Sequence, residues 1–173
     1  MARELGYSIL SADSMLVYRD MDIGTAKPSL AQRDEVVYKG IDVTTPDRRF
    51  SVGDFSQYAG RLSNDSLWGK NVIVVGGTGL YVKALLQGLD DLPPADPVFR
   101  RWAEKLLAER GIQALQEEVR RRDPERYEAL PDQKNPRRLI RAMELSEQKA
   151  PKASNWRETV LSIPVLGLRR NRE

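Results

Sequence analysis

Asn71-Val72-Ile73-Val74-Val75-Gly76-Gly77-Thr78-Gly79-Leu80-Tyr81 is the stretch that decides the fold. Its β-branched residues follow one another with no polar alternation, the pattern of a central strand in a parallel sheet covered on both faces. The glycines make a turn, and Leu80–Gln87 continues as a helix. Just upstream, Ser51 and Asp54 are spaced as a capping box, and Val52, Phe55, Ala59 and Leu62 recur at helical spacing. Further back, Gly6 caps the last turns of a helix, and Ser8-Ile9-Leu10 reads as a short buried strand. A short helix fits Ser29–Glu35, and Ile41-Asp42-Val43-Thr44 is a second strand candidate. Strand, helix, strand, glycine turn, helix is α/β organisation.

Leu92-Pro93-Pro94-Ala95-Asp96-Pro97 is a stiff break and the best internal boundary. Beyond it the spacing predicts helices over Val98–Arg110, Ile112–Arg122 and Pro136–Glu147, with short breaks at Gly111, Asp123-Pro124 and Asn135-Pro136. Val160–Leu168 then reads as a return to a sheet strand. The expected organisation is an α/β core over residues 1–91, a basic helical insertion over 92–158 and a return to the core over 159–173. The charge follows this division: residues 1–91 carry 10 Lys/Arg against 12 Asp/Glu, and residues 92–173 carry 18 against 13. The second half is therefore the place to seek a polyanionic partner.

The 173 residues include neither cysteine nor histidine. Disulfides and cysteine metal sites are excluded, and acid–base work falls to carboxylates, lysine or tyrosine. No apolar run approaches the length of a membrane span and Met1–Tyr7 has no signal-peptide layout, so a soluble, cytoplasmic protein with no membrane partner is expected.

Four constellations can carry chemistry. Asp13-Ser14 follows a strand, at the edge where open parallel sheets gather ligands, although a plain turn cap would place an aspartate there too. Gly76-Gly77-Thr78-Gly79 lies at the same edge. Its glycines let a backbone approach a ligand, and the N–H groups opening the next helix favour an anion; a tight turn without a ligand is the alternative. Lys27 offers an ammonium in the loop Ile23-Gly24-Thr25-Ala26-Lys27-Pro28, where a solvated charge is the plainer account. Lys134, Arg137, Arg138 and Arg141 concentrate positive charge on a helix, with no acid between residues 134 and 141. Arg120-Arg121-Arg122 is a second basic cluster, balanced by Glu117 and Glu118. No metal-ligating set stands out.

Taken together, Ser11-Ala12-Asp13-Ser14-Met15, Met21-Asp22-Ile23-Gly24-Thr25-Ala26-Lys27-Pro28, Val75-Gly76-Gly77-Thr78-Gly79-Leu80-Tyr81, Leu92-Pro93-Pro94-Ala95-Asp96-Pro97 and Asn135-Pro136-Arg137-Arg138-Leu139-Ile140-Arg141-Ala142-Met143-Glu144 occur in the order of the tRNA dimethylallyltransferases, which the chain resembles over nearly its whole length. The resemblance implies a P-loop NTPase-like α/β core with a helical insertion that grips the tRNA anticodon stem-loop. It also implies a reaction, in which the dimethylallyl group of dimethylallyl diphosphate moves to N6 of an adenosine beside the anticodon. Asp13 and Thr78 match the family's catalytic positions, Asp13 as the base. Ser14, Lys27, Gly76, Gly77 and Gly79 match the substrate-binding segment, and Arg137, Arg138 and Arg141 the tRNA contact. Mg²⁺ as cofactor and a monomeric state are implied in the same way.

The resemblance also marks departures. Family members open with a strand and a glycine-rich loop ending Gly-Lys-Ser/Thr, whereas this chain starts at the helix that follows it, and its only Gly-Lys pair, Gly69-Lys70, precedes Asn71. Family members also continue beyond the position of Glu173. The expectation is a chain truncated at both ends, unable to transfer by itself. Two alternatives stand beside this reading: a non-catalytic tRNA-binding remnant, and an isopentenyltransferase acting on free adenine nucleotides. The basic second half favours tRNA over a free nucleotide.

Overall fold

The computed structural model describes residues 1–62, 71–90, 92–151 and 164–168. In chain order these form α1 (Ala2–Leu5), β1 (Ser8–Ser11), α2 (Leu30–Glu35), β2 (Tyr38–Lys39), α3 (Val52–Leu62), β3 (Val72–Val75), α4 (Gly79–Gln87), α5 (Pro97–Arg122), α6 (Pro124–Glu128) and α7 (Pro136–Glu147). They fall into two compact units, the first taking in Met1–Leu89 and the second beginning at Asp90.

The first unit is built on a parallel sheet of order β2-β1-β3. Leu10 pairs with Lys39 on one side and with Val74 on the other. β1, not β3, is thus the middle strand of those described. Val74 and Val75 are 43% and 53% exposed, against the expectation of a strand covered on both faces. An unbroken apolar run records composition, whereas cover depends on which elements pack there. Here Phe55 of α3 stacks on Tyr81 of α4 with ring centroids 4.1 Å apart, and this pair closes a core with Leu10, Ala12, Val17 and Leu62. α3 begins at the expected capping box: Ser51 Oγ accepts from Asp54 N–H at 3.2 Å, and Asp54 Oδ2 accepts from Ser51 N–H at 2.8 Å.

The second strand is displaced from its expected place at Ile41–Thr44. β2 is Tyr38–Lys39, and Thr44 makes only an isolated bridge to Tyr18. Backbone conformation explains the shift: Gly40 and Asp42 have φ of 80° and 55°, which interrupts an extended chain. Of the expected strand Val160–Leu168, residues 160–163 lie outside the described residues, and 164–168 are exposed and without regular structure.

In the second unit, α5 runs across Gly111, whose φ of 73° kinks it where the sequence suggests a break. Asp123-Pro124, expected as a simple interruption, starts the extra short helix α6, with Asp123 accepting from Arg126 N–H at 2.9 Å. Asn135 caps α7 in the same manner. Leu115 and Val119 of α5, Tyr127 of α6, and Leu139 and Met143 of α7 form one buried core.

Candidate functional site

Sheet geometry brings two of the four constellations together. β1 and β3 run parallel and in register to Ser11 and Val75, so the segments that leave them emerge side by side. Ala12 N–H donates to Val75 O at 2.8 Å, and Thr78 N–H donates to Ala12 O at 3.2 Å. Gly76 is needed for this seam, because a Cβ on it would lie 2.3 Å from the carbonyl carbon and oxygen of Ala12. Gly77 and Gly79, by contrast, face open space. The three glycines therefore divide their work: Gly76 lets two backbones meet, and the other two leave room for a ligand.

Side chains continue the seam. Thr78 Oγ1 accepts from Ser14 N–H at 2.9 Å and donates to Ser14 Oγ at 3.1 Å. Ser14 and Thr78 are thus one unit. Asp13 is half-buried, and its Oδ1 accepts from Met15 N–H at 2.8 Å, an Asx-type turn that fixes the carboxylate beside the pair. Thr78 also opens α4, whose first N–H groups have no intrahelical carbonyl to bind. A carboxylate, two linked hydroxyls, open glycines and a helix N-terminus make a place for an anion next to a proton acceptor.

Tyr81, one turn into α4, adds a buried hydroxyl that meets no partner among the described residues. Burial pushes its phenol up to about 12, with smaller upward pushes from Tyr18, Asp54 and Asp13. The motif shows Tyr81 as a letter; only packing shows that its oxygen is sealed in.

Lys27 does not join this group. Its ammonium is 1% exposed and bound to Asp22 at 2.6 Å, to Asp42 at 2.8 Å and to the Tyr18 carbonyl at 2.8 Å. The solvated charge that the sequence also allowed does not describe it.

The basic residues of the helical unit separate too. Arg137 and Arg138 are exposed on the first turn of α7, with no acidic partner among the described residues. Arg141 is committed to Glu144 at 2.6 Å and to the Pro93 carbonyl at 2.8 Å. Its acid lies just past the acid-free stretch, three residues on, where helix geometry brings it alongside. Arg120 packs over the Tyr127 ring, 4.3 Å from its centroid, while Arg121 and Arg122 pair with Glu118. Within the cluster Arg121 and Arg122 are thus paired with acid, while Arg120 is held by Tyr127.

Among the described residues no group of three or more acidic side chains is placed to hold a metal ion, and no helix is long and apolar enough to cross a membrane. A Mg²⁺ held together with a substrate diphosphate needs only one or two protein carboxylates, and Asp13 stands at this edge.

A family model described as IPP transferase matches residues 16–173. The tRNA dimethylallyltransferase of Stenotrophomonas maltophilia (strain K279a) is 40% identical over 172 residues, covering 98% of this chain and 54% of that protein. That of Azoarcus sp. (strain BH72) is 44% identical over 158 residues, covering 90% of this chain and 49% of its own. The chain spans about half the length of the curated relatives it matches. A solved structure described as a eukaryotic dimethylallyltransferase acting on tRNA superposes with a TM-score of 0.61 at 19% identity, over 86% of this chain and 39% of that one. This likeness agrees with the α/β class expected from the sequence.

Proposed function

The chain belongs to the IPP transferase family, and from that premise we propose that it carries part of the site at which a dimethylallyl group passes from dimethylallyl diphosphate to N6 of an adenosine beside the anticodon of a tRNA. The observation that carries this reading is the seam at the sheet edge, where Asp13 stands beside the Ser14–Thr78 pair.

The chemistry asks for two things at one point. An exocyclic amine is a weak nucleophile and must lose a proton as its nitrogen bonds to the allylic carbon; the Asp13 carboxylate takes that proton. Diphosphate leaves from the same carbon with growing negative charge. Hydroxyl and backbone donors from Ser14, Gly77 and Gly79 lower the barrier by meeting that charge, with Thr78 holding Ser14 in place. Gly76 acts one step back, by bringing the two loops together. The target base must leave its stack to reach such a site, as base-modifying enzymes generally require. Arg137 and Arg138 supply exposed cations for the RNA backbone, whereas Arg141 serves the fold of the helical unit. In this proposal residues 1–91 act as the core and 92–158 as the RNA-holding insertion, in a cytoplasmic monomer.

The names of the relatives support tRNA over a free adenine nucleotide as acceptor. Incubating the full-length protein with radiolabelled dimethylallyl diphosphate and either an anticodon stem-loop or AMP tests the reading. Label is expected at N6 of one adenosine of the stem-loop and not on AMP. Label on AMP alone would assign a different acceptor, and binding of the stem-loop without transfer would leave only an RNA-binding role.

A further inference from the structure

Lys27 is the one residue of the expected substrate-binding set that the fold hides, and the bonds it makes lead back to Asp13. An ammonium has three donors, and all three are taken: by Asp22 at 2.6 Å, Asp42 at 2.8 Å and Tyr18 O at 2.8 Å. The other oxygen of Asp42 accepts from Arg33 at 2.6 Å. Asp42 holds a left-handed backbone, φ 55°, which aspartate tolerates better than most residues with a side chain. Around it residues 16–19 and 42–44 are laced together. Asp42 N–H donates to Leu16 O at 3.0 Å, Thr44 N–H to Val17 O at 3.0 Å, and Arg19 N–H to Thr44 O at 2.8 Å. Tyr18 N–H then donates to Met15 O at 3.4 Å, and Met15 N–H to the Asp13 carboxylate at 2.8 Å. From the ammonium to the carboxylate the connection is continuous.

We propose that Lys27 is a positioning residue: it clamps residues 15–18 against 42–44 and so fixes the place and orientation of the Asp13 carboxylate, without touching substrate. The proposal rests on the reading of Asp13 as proton acceptor. Direct contact with a diphosphate is disfavoured on two counts. The side chain is 1% exposed with no donor left over. The cavity of about 390 Å³ beside it is also lined by as many carboxylates, Asp20, Asp22 and Asp42, as cations, Arg19, Lys27 and Arg33. Lysine suits the post because its compact ammonium delivers three donors from a single point to two loops and a turn, which a planar guanidinium cannot do.

The test uses Lys27→Met in the full-length protein, with Asp42→Asn as a milder second variant should the first fail to fold. Hydrogen exchange supplies a readout independent of activity. The Ser14 and Met15 amides are expected to exchange about tenfold faster or more, with Ile9 and Leu10 of β1 unchanged. In transfer assays kcat is expected to fall by about tenfold to a hundredfold with KM for dimethylallyl diphosphate held. In an Asp13→Asn background the same substitution should cost nothing further, because its effect passes through that carboxylate. A raised KM with kcat and the Ser14 and Met15 amides unchanged would make Lys27 a substrate contact and overturn the proposal. Exchange accelerated throughout the unit, or an equal loss in the Asp13→Asn background, would overturn it as well, leaving a general structural role. Should the protein transfer nothing at all, the functional reading fails, while the exchange pattern still decides whether Lys27 clamps the loop.

Discussion

Asp13→Asn is expected to lower dimethylallyl transfer by about 10²- to 10⁴-fold while leaving the protein folded. Asparagine keeps an amide oxygen where Asp13 Oδ1 accepts from Met15 N–H, so the turn after β1 has what it needs. The Ser14–Thr78 bonds do not involve the carboxylate and should survive. What disappears is the proposed acceptor for the N6 proton, since a neutral amide oxygen is far too weak a base. Both kcat and kcat/KM should therefore fall together, the mark of an interaction made in the transition state and not in substrate binding. Steady-state transfer kinetics beside a thermal melt would show this. Activity within a few-fold of the parent, or a loss explained by a lowered melting temperature, would remove Asp13 from the role.

Much of the fold around this carboxylate could be read from residues whose local chemistry has one solution. Ser51 with Asp54, Ser29 before α2 and Asn135 before α7 declare helix starts because orphan N–H groups accept few other partners. Gly6 declares a helix end because its φ of 65° suits glycine. Elements decided by longer-range contacts were less legible. Ile41–Thr44 has strand composition, but Asp42 takes a left-handed backbone and pairs with Lys27 and Arg33, neither adjacent in sequence. β3 looks central by composition, yet among the described strands β1 takes that place through a register no single segment reveals. The site followed the same rule. Asp13, Ser14, Thr78 and the open glycines lie on segments leaving neighbouring strands, and the expectation that ligands gather there brings them together. The roles of Lys27 and Arg141 depended on acids elsewhere in the chain, Asp22 and Asp42 for the first and Glu144 for the second. A basic residue is legible from the sequence; whether its charge is already committed is a tertiary fact.

Glu144 is where that fact has its largest expected effect on stability, and Glu144→Ala should destabilise the helical unit by about 3 kcal/mol. The side chain is 1% exposed on α7, among Leu139, Ile140, Ala142, Met143 and Leu145, where an unpaired carboxylate would not be tolerated. It is tolerated because four hydrogen bonds converge on it. Arg100 donates twice at 3.1 Å, Arg141 once at 2.6 Å, and the Asp96 N–H once at 2.6 Å. Asp96 itself caps α5, so one carboxylate joins the start of α5 to the last turn of α7. Removing it strands two guanidiniums that are each 31% exposed, and this partial solvation keeps the cost near the low end for a broken buried pair. Burial pushes the Glu144 carboxyl upward, but the hydrogen bonds from Arg100, Arg141 and Asp96 outweigh it and hold it below the ordinary glutamate value. The sign follows from linkage. A depressed folded value contributes stability that is complete above the unfolded value of about 4.3 and is lost as pH falls through the folded one. Urea unfolding followed by far-ultraviolet circular dichroism should therefore show a gap between parent and Glu144→Gln that is constant from neutral pH to about 5 and narrows below about 4.3. Comparing the two proteins at each pH cancels the titration of Glu118, whose pairing with Arg121 and Arg122 also holds its carboxyl low. A gap that does not change with pH would mean that shape, not charge, is what Glu144 contributes, and that Arg100 and Arg141 are held by something other than its carboxylate.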